Sequence, residues 1–496
     1  MDLSHWIERH ACFAPGAPAI RFEGRAIGYA ELAERVRGAA ATLAARGVRP
    51  GDAVAYLGLN HPAALAALFA CARLGAMYAP LNWRLAPPEL ARVLADCSPR
   101  VLLVEHGFAD TARGIEGAPQ ALGIDALERA AGAPPPPAGA EDTPLLLCYT
   151  SGSTGAPKGV VLPQRALFWN AVNSTHMHDL TSADRVLTTL PLFHVGGLNI
   201  LTTPALHAGA SVTLHPRFDP RATLETIERE RISLTVLVPA QLDAMMALPE
   251  WKRADLSSLR MITTGSTIVP AAFVRKVSEC GVPVVQVYGA TETCPVATYV
   301  RAADALRKAG SAGAAALHCE VKVVGEDGAE CPAGRDGEIL VRGPNVASGY
   351  WRAPEETARA FRDGWYRSGD VGHFDGEGHL HVVSRLNDMI ISGGEHIYPA
   401  EVESVLLECP AVEEACVVGR PDPRWGEVVA AAVVLKSGCS MTGSEAMALF
   451  DGRIARYKHP REVRFLERLP RTALGKVQRE AVRVAIAQHA GQAEER

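Results

Sequence analysis

Between residues 149 and 159 the chain reads YTSGSTGAPKG: three glycines, five hydroxyls and one lysine behind the apolar run PLLLC. The run predicts a buried strand, Leu145–Cys148, that the next segment does not continue. Glycines let successive N–H groups turn toward one point, hydroxyls add donors, and Lys158 adds a positive charge. Such a segment suits a polyanion such as a nucleotide triphosphate. The spacing is not that of the common phosphate loop, which needs Gly, four residues, then Gly-Lys-Ser/Thr. Here Gly152 and Gly155 precede Lys158, Gly159 follows it, and Pro157 disfavours an immediate helix start. On this stretch alone a plain surface loop is the alternative.

Four further stretches are chemically dense. QVYGATET (286–293) turns at Gly289 after a strand and then offers Thr291 and Glu292. Ligands collect at the carboxyl ends of strands in open α/β sheets, and a carboxylate there suits Mg2+ bridging nucleotide phosphates. A capped helix start is the plainer alternative. GWYRSGD (364–370) sets Asp370 in a tight turn, where it suits ribose hydroxyls. SRLNDMIISGGEHIYPAEVE (384–403) mixes Arg385, a glycine pair and an apolar run; Arg385 by itself also suits a solvated domain edge. LPRTALGKVQR (469–479) presents Lys476 after Gly475, a placement that taken singly favours surface over catalysis.

The elements that must position these residues alternate. Strands are predicted at 54–58, 101–105, 145–149, 186–190, 234–238, 260–264 and 284–288, with helical stretches between them such as YAELAERVRGAAATLAARG, closed by Gly47. This is the pattern of an α/β fold with largely buried sheets. At 496 residues the chain exceeds one ordinary core, so two or more domains are expected. AGAPPPPAGAED (131–142) reads as a linker or surface loop. After about residue 320, EVKVV, GEILVRG and GHLHVVSR form a β-rich subregion, and from Asp388 a compact α/β pattern starts again. The domain cut falls at 385–388, and no internal repeat is present.

Composition excludes several classes. Hydrophobic content of 48% with 21% charged residues describes a soluble globular chain, and a formal charge of -5 without a basic block argues against nucleic acid. Eleven cysteines without a C-x-x-C pair point to reduced thiols rather than a disulfide frame or zinc site. The N-terminus MDLSHWIERHACF lacks a signal-peptide core. The most apolar window, 62–81, is broken by Arg73 and reads as a buried helix and strand rather than a membrane span. A cytoplasmic location follows from these readings.

Taken together, the order and identity of these motifs resemble the acyl-adenylate-forming superfamily of acyl-CoA synthetases, luciferases and peptide-synthetase adenylation domains. The resemblance runs from about residue 10 to 485 and is strongest to bacterial aryl-CoA ligases of the 4-chlorobenzoate and feruloyl type, on LPQRA, NDMIISGGEHIYPAEVE and DPRWGE. It implies a large N-terminal domain of αβ layers with a β-rich subdomain (1–386), a hinge at Asn387 and a small mobile α+β C-terminal domain (388–496). It also implies ATP, Mg2+ and CoA as the cosubstrates. An acid would attack the α-phosphate of ATP, pyrophosphate would leave, and the CoA thiol would then displace AMP from the acyl adenylate.

Roles transfer by matching position. Thr150, Ser151, Gly152, Ser153, Thr154, Gly155 and Lys158 would hold the β- and γ-phosphates. Gly265, Ser266, Thr267, Tyr288, Gly289, Ala290 and Thr291 would border the nucleotide, with Glu292 as magnesium ligand and Asp370 and Arg385 on the ribose. Lys476 would bridge the reacting oxygens. Gly393 and Gly394 would line the pantetheine tunnel, Trp425 and Tyr457 would sandwich the CoA adenine, and His459 and Arg461 would meet CoA phosphates. Relatives commonly place Asp or Lys where this chain has Asn387, and Asn tolerates unusual backbone angles.

In LPLFHVGGLN (190–199), His194 would gate an acyl pocket walled by Val195, Gly196, Thr264, Val287, Gly289, Cys294 and Pro295, with Gly196 and Gly197 widening it. No wall residue is charged, which favours an aromatic acid of the benzoate or cinnamate class over a dicarboxylate. A medium-chain fatty acid is the nearest alternative. A stand-alone enzyme loading a carrier protein is another, although an amino-acid substrate would call for Asp where His194 stands. A nucleotide-binding sensor without turnover is a third reading. The resemblance also admits a homodimer.

Overall fold

The structure, a computed structural model, describes residues 2–128, 133–151, 157–266, 268–385, 390–392, 395–422, 425–454, 456–471 and 476–490. The chain forms two compact units. The first comprises Met1–Lys322, Leu340–Ser368 and Phe374–His381; the second comprises Val323–Ile339, Gly369–His373 and Val382–Arg496. All seven strands expected between residues 54 and 288 are present, each within a few residues of its expected limits.

In the first unit six parallel strands lie side by side in the order Val284–Tyr288, Met261–Gly265, Leu234–Val236, Arg185–Thr188, Ser211–Leu214 and Pro18–Phe22. Antiparallel strands Thr298–Tyr299 and Arg25–Gly28 flank them. Because the six run the same way, Tyr288, Gly265, Val236 and Thr188 all end at one edge, where α/β sheets bind ligands. Layers of buried aliphatic side chains cover both faces: Val186, Val236 and Val287 belong to one core cluster, Leu187, Ile262 and Val284 to another. A second sheet orders Gly349–Tyr350, Pro157–Pro163, Pro144–Ser151, Met77–Pro80, Ala53–Leu57, Val101–Val104 and Ala121–Gly123.

The apolar window resolves into the helix Pro62–Leu74 and the strand Met77–Pro80. Every helix residue except Arg73 is buried, as an all-round apolar helix must be in water. Its first turn is closed by His61, whose Nδ1 accepts from the Ala63 N–H at 3.0 Å. Arg73 has its own use. Its Nε donates to the Pro135 carbonyl at 3.1 Å, and its carbonyl accepts from the Ala138 N–H at 2.8 Å, so the proline-rich segment is strapped onto this helix. Among the described residues no helix is long and apolar enough to cross a membrane.

One local expectation is overturned. The strand does not stop at Cys148 but runs to Ser151, and an antiparallel partner starts at Pro157, pairing Tyr149 with Gly159 and Thr150 with Lys158. Aromatic and β-branched residues favour the pleated state, and the Tyr149 hydroxyl is anchored on Asp96 Oδ2 at 2.5 Å.

The second unit has its own core, including Val402, Leu406, Val429, Val433 and the fully buried Phe450. Val412–Asp422 pairs antiparallel with Gly426–Leu435, and Glu462–Phe465 adds to it in parallel. Arg479 opens the last helix, Arg479–Ala490, and its Nη1 bonds Glu403 Oε1 at 2.7 Å. The same carboxylate oxygen accepts from the Val417 N–H at 2.8 Å. This shared acceptor fixes the last helix, and hence the chain just after Lys476, to the helix Pro399–Leu407 and the central strand.

Candidate active site

The two strand ends that carry Thr150 and Lys158 face each other across one antiparallel register, with Thr150 Oγ1 3.5 Å from the Lys158 carbonyl. Among the described residues no carboxylate lies within ion-pair distance of the Lys158 ammonium, and the ring of Tyr350 lies 5.8 Å from it. Tyr350 stands on the short strand Gly349–Tyr350, which pairs with Val160 and Val161 of the strand bearing Lys158. Its hydroxyl donates to Glu292 Oε1 at 2.7 Å. Burial first, and the Glu292 carboxylate second, push the Tyr350 phenol well above its ordinary range, so it stays protonated as a donor.

Glu292 is 8% exposed and sits in the single 3-10 turn Thr291–Thr293 that follows Tyr288. The expected alternatives meet here: the turn is capped, and it also presents a carboxylate. Neighbouring backbone is tied down on every side. The Glu292 carbonyl accepts from the Ala347 N–H at 2.8 Å, and Asn345 Nδ2, fully buried, donates to the Thr293 carbonyl at 2.6 Å. Thr293 Oγ1 accepts from the Ala290 N–H at 2.9 Å and stands 3.1 Å from the Pro295 carbonyl. Gly289 has no alternative, because a Cβ there would lie 1.6 Å from the Pro295 carbonyl oxygen.

His194 precedes the short turn Val195–Gly197 and caps it, Nδ1 accepting from the Gly196 N–H at 3.0 Å. Its ring proton therefore resides on Nε2. The loop before it is held by Asn60, a residue that sequence reasoning passed over. Asn60 Nδ2 donates to the Leu190 and His215 carbonyls at 2.9 and 3.0 Å, while Oδ1 accepts from the Leu192 N–H at 2.8 Å. The two glycines behave differently. A Cβ on Gly196 would meet His194 Nδ1 at 3.1 Å and Ser266 Oγ at 3.7 Å, so a methyl there would crowd the His194 ring but would meet no backbone. A Cβ on Gly197 would meet the Pro191 and Leu190 carbonyl oxygens at 2.3 and 2.7 Å. Gly197 therefore permits backbone contact and does not widen a pocket, contrary to the expectation from sequence.

Val195, Val287 and Cys294 are buried, and Cys294 accepts from Asn199 Nδ2 at 3.3 Å. Burial pushes the Cys294 thiol far above its usual range, which keeps it neutral. The structure does not bring Thr264 to their side. Parallel register sets Gly265 beside Val287 and Thr264 beside Gln286, and alternation along a strand puts the two pairs on opposite faces. Thr264 Oγ1 is buried and has no hydrogen-bond partner among the described residues. Ser266 follows Gly265 with a positive φ of 66°.

In the second unit Asp370 is buried on the strand Trp365–Phe374, and Arg385 ends the strand Leu380–Arg385. Lys476 is exposed. Trp425 is 38% exposed, with its backbone N–H on Asp422 Oδ1 at 3.0 Å. Tyr457 lies in the turn Arg456–Lys458. His459 packs on Phe450, ring centroids 5.6 Å apart, and its Nε2 donates to the Ile454 carbonyl at 3.1 Å. Arg461 is exposed and anchored by its backbone to Val429. Gly152, Ser153, Thr154, Gly155, Thr267, Asn387, Gly393 and Gly394 lie outside the described residues.

A cleft of about 290 Å3 opens elsewhere, beside Phe22, His215, Arg217 and Arg229, and none of the expected site residues lines it. Its three arginines, Arg21, Arg217 and Arg229, are outnumbered by Glu23, Asp219, Glu225 and Glu230, so it offers no surplus of positive charge for a polyanion. The site is thus the sheet edge around Lys158, Glu292, Tyr350 and His194.

Comparison with known proteins shows the family to which the chain belongs. Residues 7–351 match the AMP-binding enzyme family and residues 401–476 match the AMP-binding enzyme C-terminal domain. The chain is 57% identical over 502 residues to the indoleacetate–CoA ligase of Aromatoleum aromaticum, covering 98% of each. It is 47% identical over 484 residues to a feruloyl-CoA synthase of Amycolatopsis, covering 97% of this chain and 98% of that one. Among solved structures it resembles the o-succinylbenzoate CoA synthetase of Bacillus subtilis. With the acyl-adenylate intermediate bound, the TM-score is 0.89 at 35% identity, over 97% of this chain and 98% of that one. With ATP and magnesium bound, it is 0.87 at 35% identity, over 96% and 98%. The chain belongs to the AMP-binding enzyme family, the acyl-adenylate-forming acyl-CoA synthetases.

Proposed function

We propose that this protein is an AMP-forming acid–CoA ligase acting on an aromatic acid, most fittingly an aryl ring joined to its carboxylate by a short spacer. The observation that carries the reading is the pairing of Lys158, a cation with no described carboxylate partner, with the near-buried Glu292 across Tyr350. A triphosphate supplies the negative charge that Lys158 lacks, and magnesium entering with it supplies the positive charge that Glu292 lacks. Glu292 fits such a metal. It offers a hard oxygen, the ligand type that magnesium takes beside its waters and phosphate oxygens.

In the first half-reaction the acid's carboxylate oxygen attacks the α-phosphorus and pyrophosphate leaves. Adenylation is needed because a free carboxylate would have to expel oxide. Lys158 and Thr150 hold the departing phosphates, and Asp370 with Arg385 hold the ribose. Lys476, delivered by the C-terminal domain (388–496) turning about Asn387, meets charge building at the α-phosphate; such a preorganised donor contributes about 3–4 kcal/mol. In the second half-reaction the CoA sulfur attacks the acyl carbon and AMP leaves, with Trp425 and Tyr457 on the CoA adenine. Binding of CoA phosphate by His459 would have to use Nδ1, since Nε2 is engaged inward.

The aromatic assignment rests on the uncharged residues Val195, Gly196, Val287 and Cys294 and on the names of the indoleacetate and feruloyl relatives. Eleven free cysteines suit a reducing cytoplasm. The test is pyrophosphate release with indoleacetate, phenylacetate, ferulate, benzoate and octanoate, followed by thioester detection with CoA. Arylacetates or ferulate should lead by at least tenfold in kcat/KM. Octanoate in first place would overturn the aromatic reading, and a thioester formed only on a carrier protein would overturn the CoA reading.

A further inference from the structure

We infer that Tyr350 is a positioning residue that sets the magnesium carboxylate and the phosphate lysine at a fixed spacing, so that the protein recognises metal-bound ATP as one unit. The inference rests on the ligase reading for the identity of the ligand, and it adds a residue that no motif singled out.

One side chain faces both charges. The Tyr350 hydroxyl occupies Oε1 of Glu292 at 2.7 Å, and Oε2 accepts from no described residue. Donation to one oxygen fixes the plane of the carboxylate and leaves the other for a hard cation. The face of the same ring lies 5.8 Å from the Lys158 ammonium, within the range where a ring quadrupole attracts a cation. Tyr350 can hold these positions because its own backbone is over-determined. It pairs with Val160, two residues from Lys158, and its N–H donates to Thr357 Oγ1 at 2.9 Å. Its ring rests against Phe361, centroids 5.7 Å apart. The next residue, Trp351, donates its backbone N–H to the Gly159 carbonyl at 2.7 Å and its Nε1 to the Asp96 carbonyl at 3.2 Å. Asp96 in turn accepts from Tyr149 at the head of the phosphate segment. A hydroxyl that served packing alone would not need the 58-residue reach to a carboxylate at the ligand edge of the other sheet.

The test is calorimetric binding of ATP with and without Mg2+ to the full-length protein. Tyr350→Phe keeps the ring and should weaken Mg·ATP binding about tenfold while changing metal-free ATP less than about twofold. Tyr350→Leu removes the ring as well, and should additionally weaken metal-free ATP about threefold. Glu292→Gln should lose the same metal-dependent part, and the double variant Tyr350→Phe/Glu292→Gln should bind no worse than Glu292→Gln alone. Equal losses with and without metal, no loss, or additive losses in the double variant would overturn the inference. If Tyr350→Phe does not fold, Tyr350→Leu and Glu292→Gln still decide it through the ratio of the two affinities. Binding is read without any acid, so wild type that binds Mg·ATP yet releases no pyrophosphate would sink the ligase reading and leave this one standing.

Discussion

Two adjacent glycines should fail in opposite ways when each is replaced by alanine. At Gly197 the added methyl would sit 2.3 Å from the Pro191 carbonyl oxygen and 2.7 Å from that of Leu190, against about 3.4 Å for ordinary contact. Both obstacles are backbone, and Asn60 pins that backbone through Leu190 and Leu192, so the loop cannot yield by rotating a side chain. Overpacking of this kind costs about 1–3 kcal/mol, or roughly 2–6 °C in Tm for a large domain. The strain also displaces His194, so kcat/KM should fall for every acid alike. At Gly196 the nearest atoms are His194 Nδ1 at 3.1 Å and Ser266 Oγ at 3.7 Å, both on side chains. Alanine should leave Tm within about 1 °C, because the gain in backbone entropy, about 0.5–1 kcal/mol, offsets a slight crowding. It should raise KM for a bulky aryl acid several-fold more than for benzoate, with KM for ATP unchanged. Differential scanning fluorimetry and pyrophosphate release measure both. A Gly197→Ala protein as stable as wild type, or a Gly196→Ala protein that loses all acids equally, would refute the reading of this loop.

Further outcomes concern the second unit and the buried titratable groups. Lys476→Ala should abolish pyrophosphate release while leaving thioester formation from a supplied acyl adenylate largely intact; equal loss of both half-reactions counts against its role. Trp425→Ala should raise KM for CoA more than KM for ATP in steady-state kinetics, and the reverse would remove it from the CoA site. His178 is buried, its ring nitrogens on the Ser174 carbonyl at 2.8 Å and Thr263 Oγ1 at 2.9 Å, and burial pushes it down to about 4. The unfolded chain takes up this proton near pH 6.5 and the folded one does not. Stability should therefore fall as pH drops from about 6.5 to 4, by up to about 3 kcal/mol from this group. Urea titrations should show a flatter slope over that window for His178→Gln, and an unchanged slope would reassign it.

How much of this was legible in the sequence depends on whether a feature is carried by chain order or by space. The seven strands at residues 54–288 were legible because each is a short apolar run buried on both faces. Residues 149–159 were legible as a run of donors with one cation, but not as two paired strand ends. Thr150 and Ser151 read as loop because glycines follow, whereas the strand that includes Tyr149, its hydroxyl anchored on Asp96 53 residues away, runs through both. Thr264 illustrates the limit of alignment by position. It neighbours Gly265 in the chain, yet the pleat turns it to the face opposite Val287, so a wall assigned residue by residue gained a member that the sheet excludes.

Gly197 and Tyr350 show the same limit from two directions. Glycine pairs read as room for a substrate, but a missing Cβ has two causes, and only the distance to the Pro191 carbonyl separates them. Tyr350 had no pattern to announce it, since one tyrosine after a glycine is common in any strand. Its meaning arises where two sheets bring residues 158, 292 and 350 to one place. Motifs mark the groups that touch ligand, because those are constrained by the ligand's chemistry. Residues that hold such groups in place are constrained only by each other, and so become visible when the chain is folded.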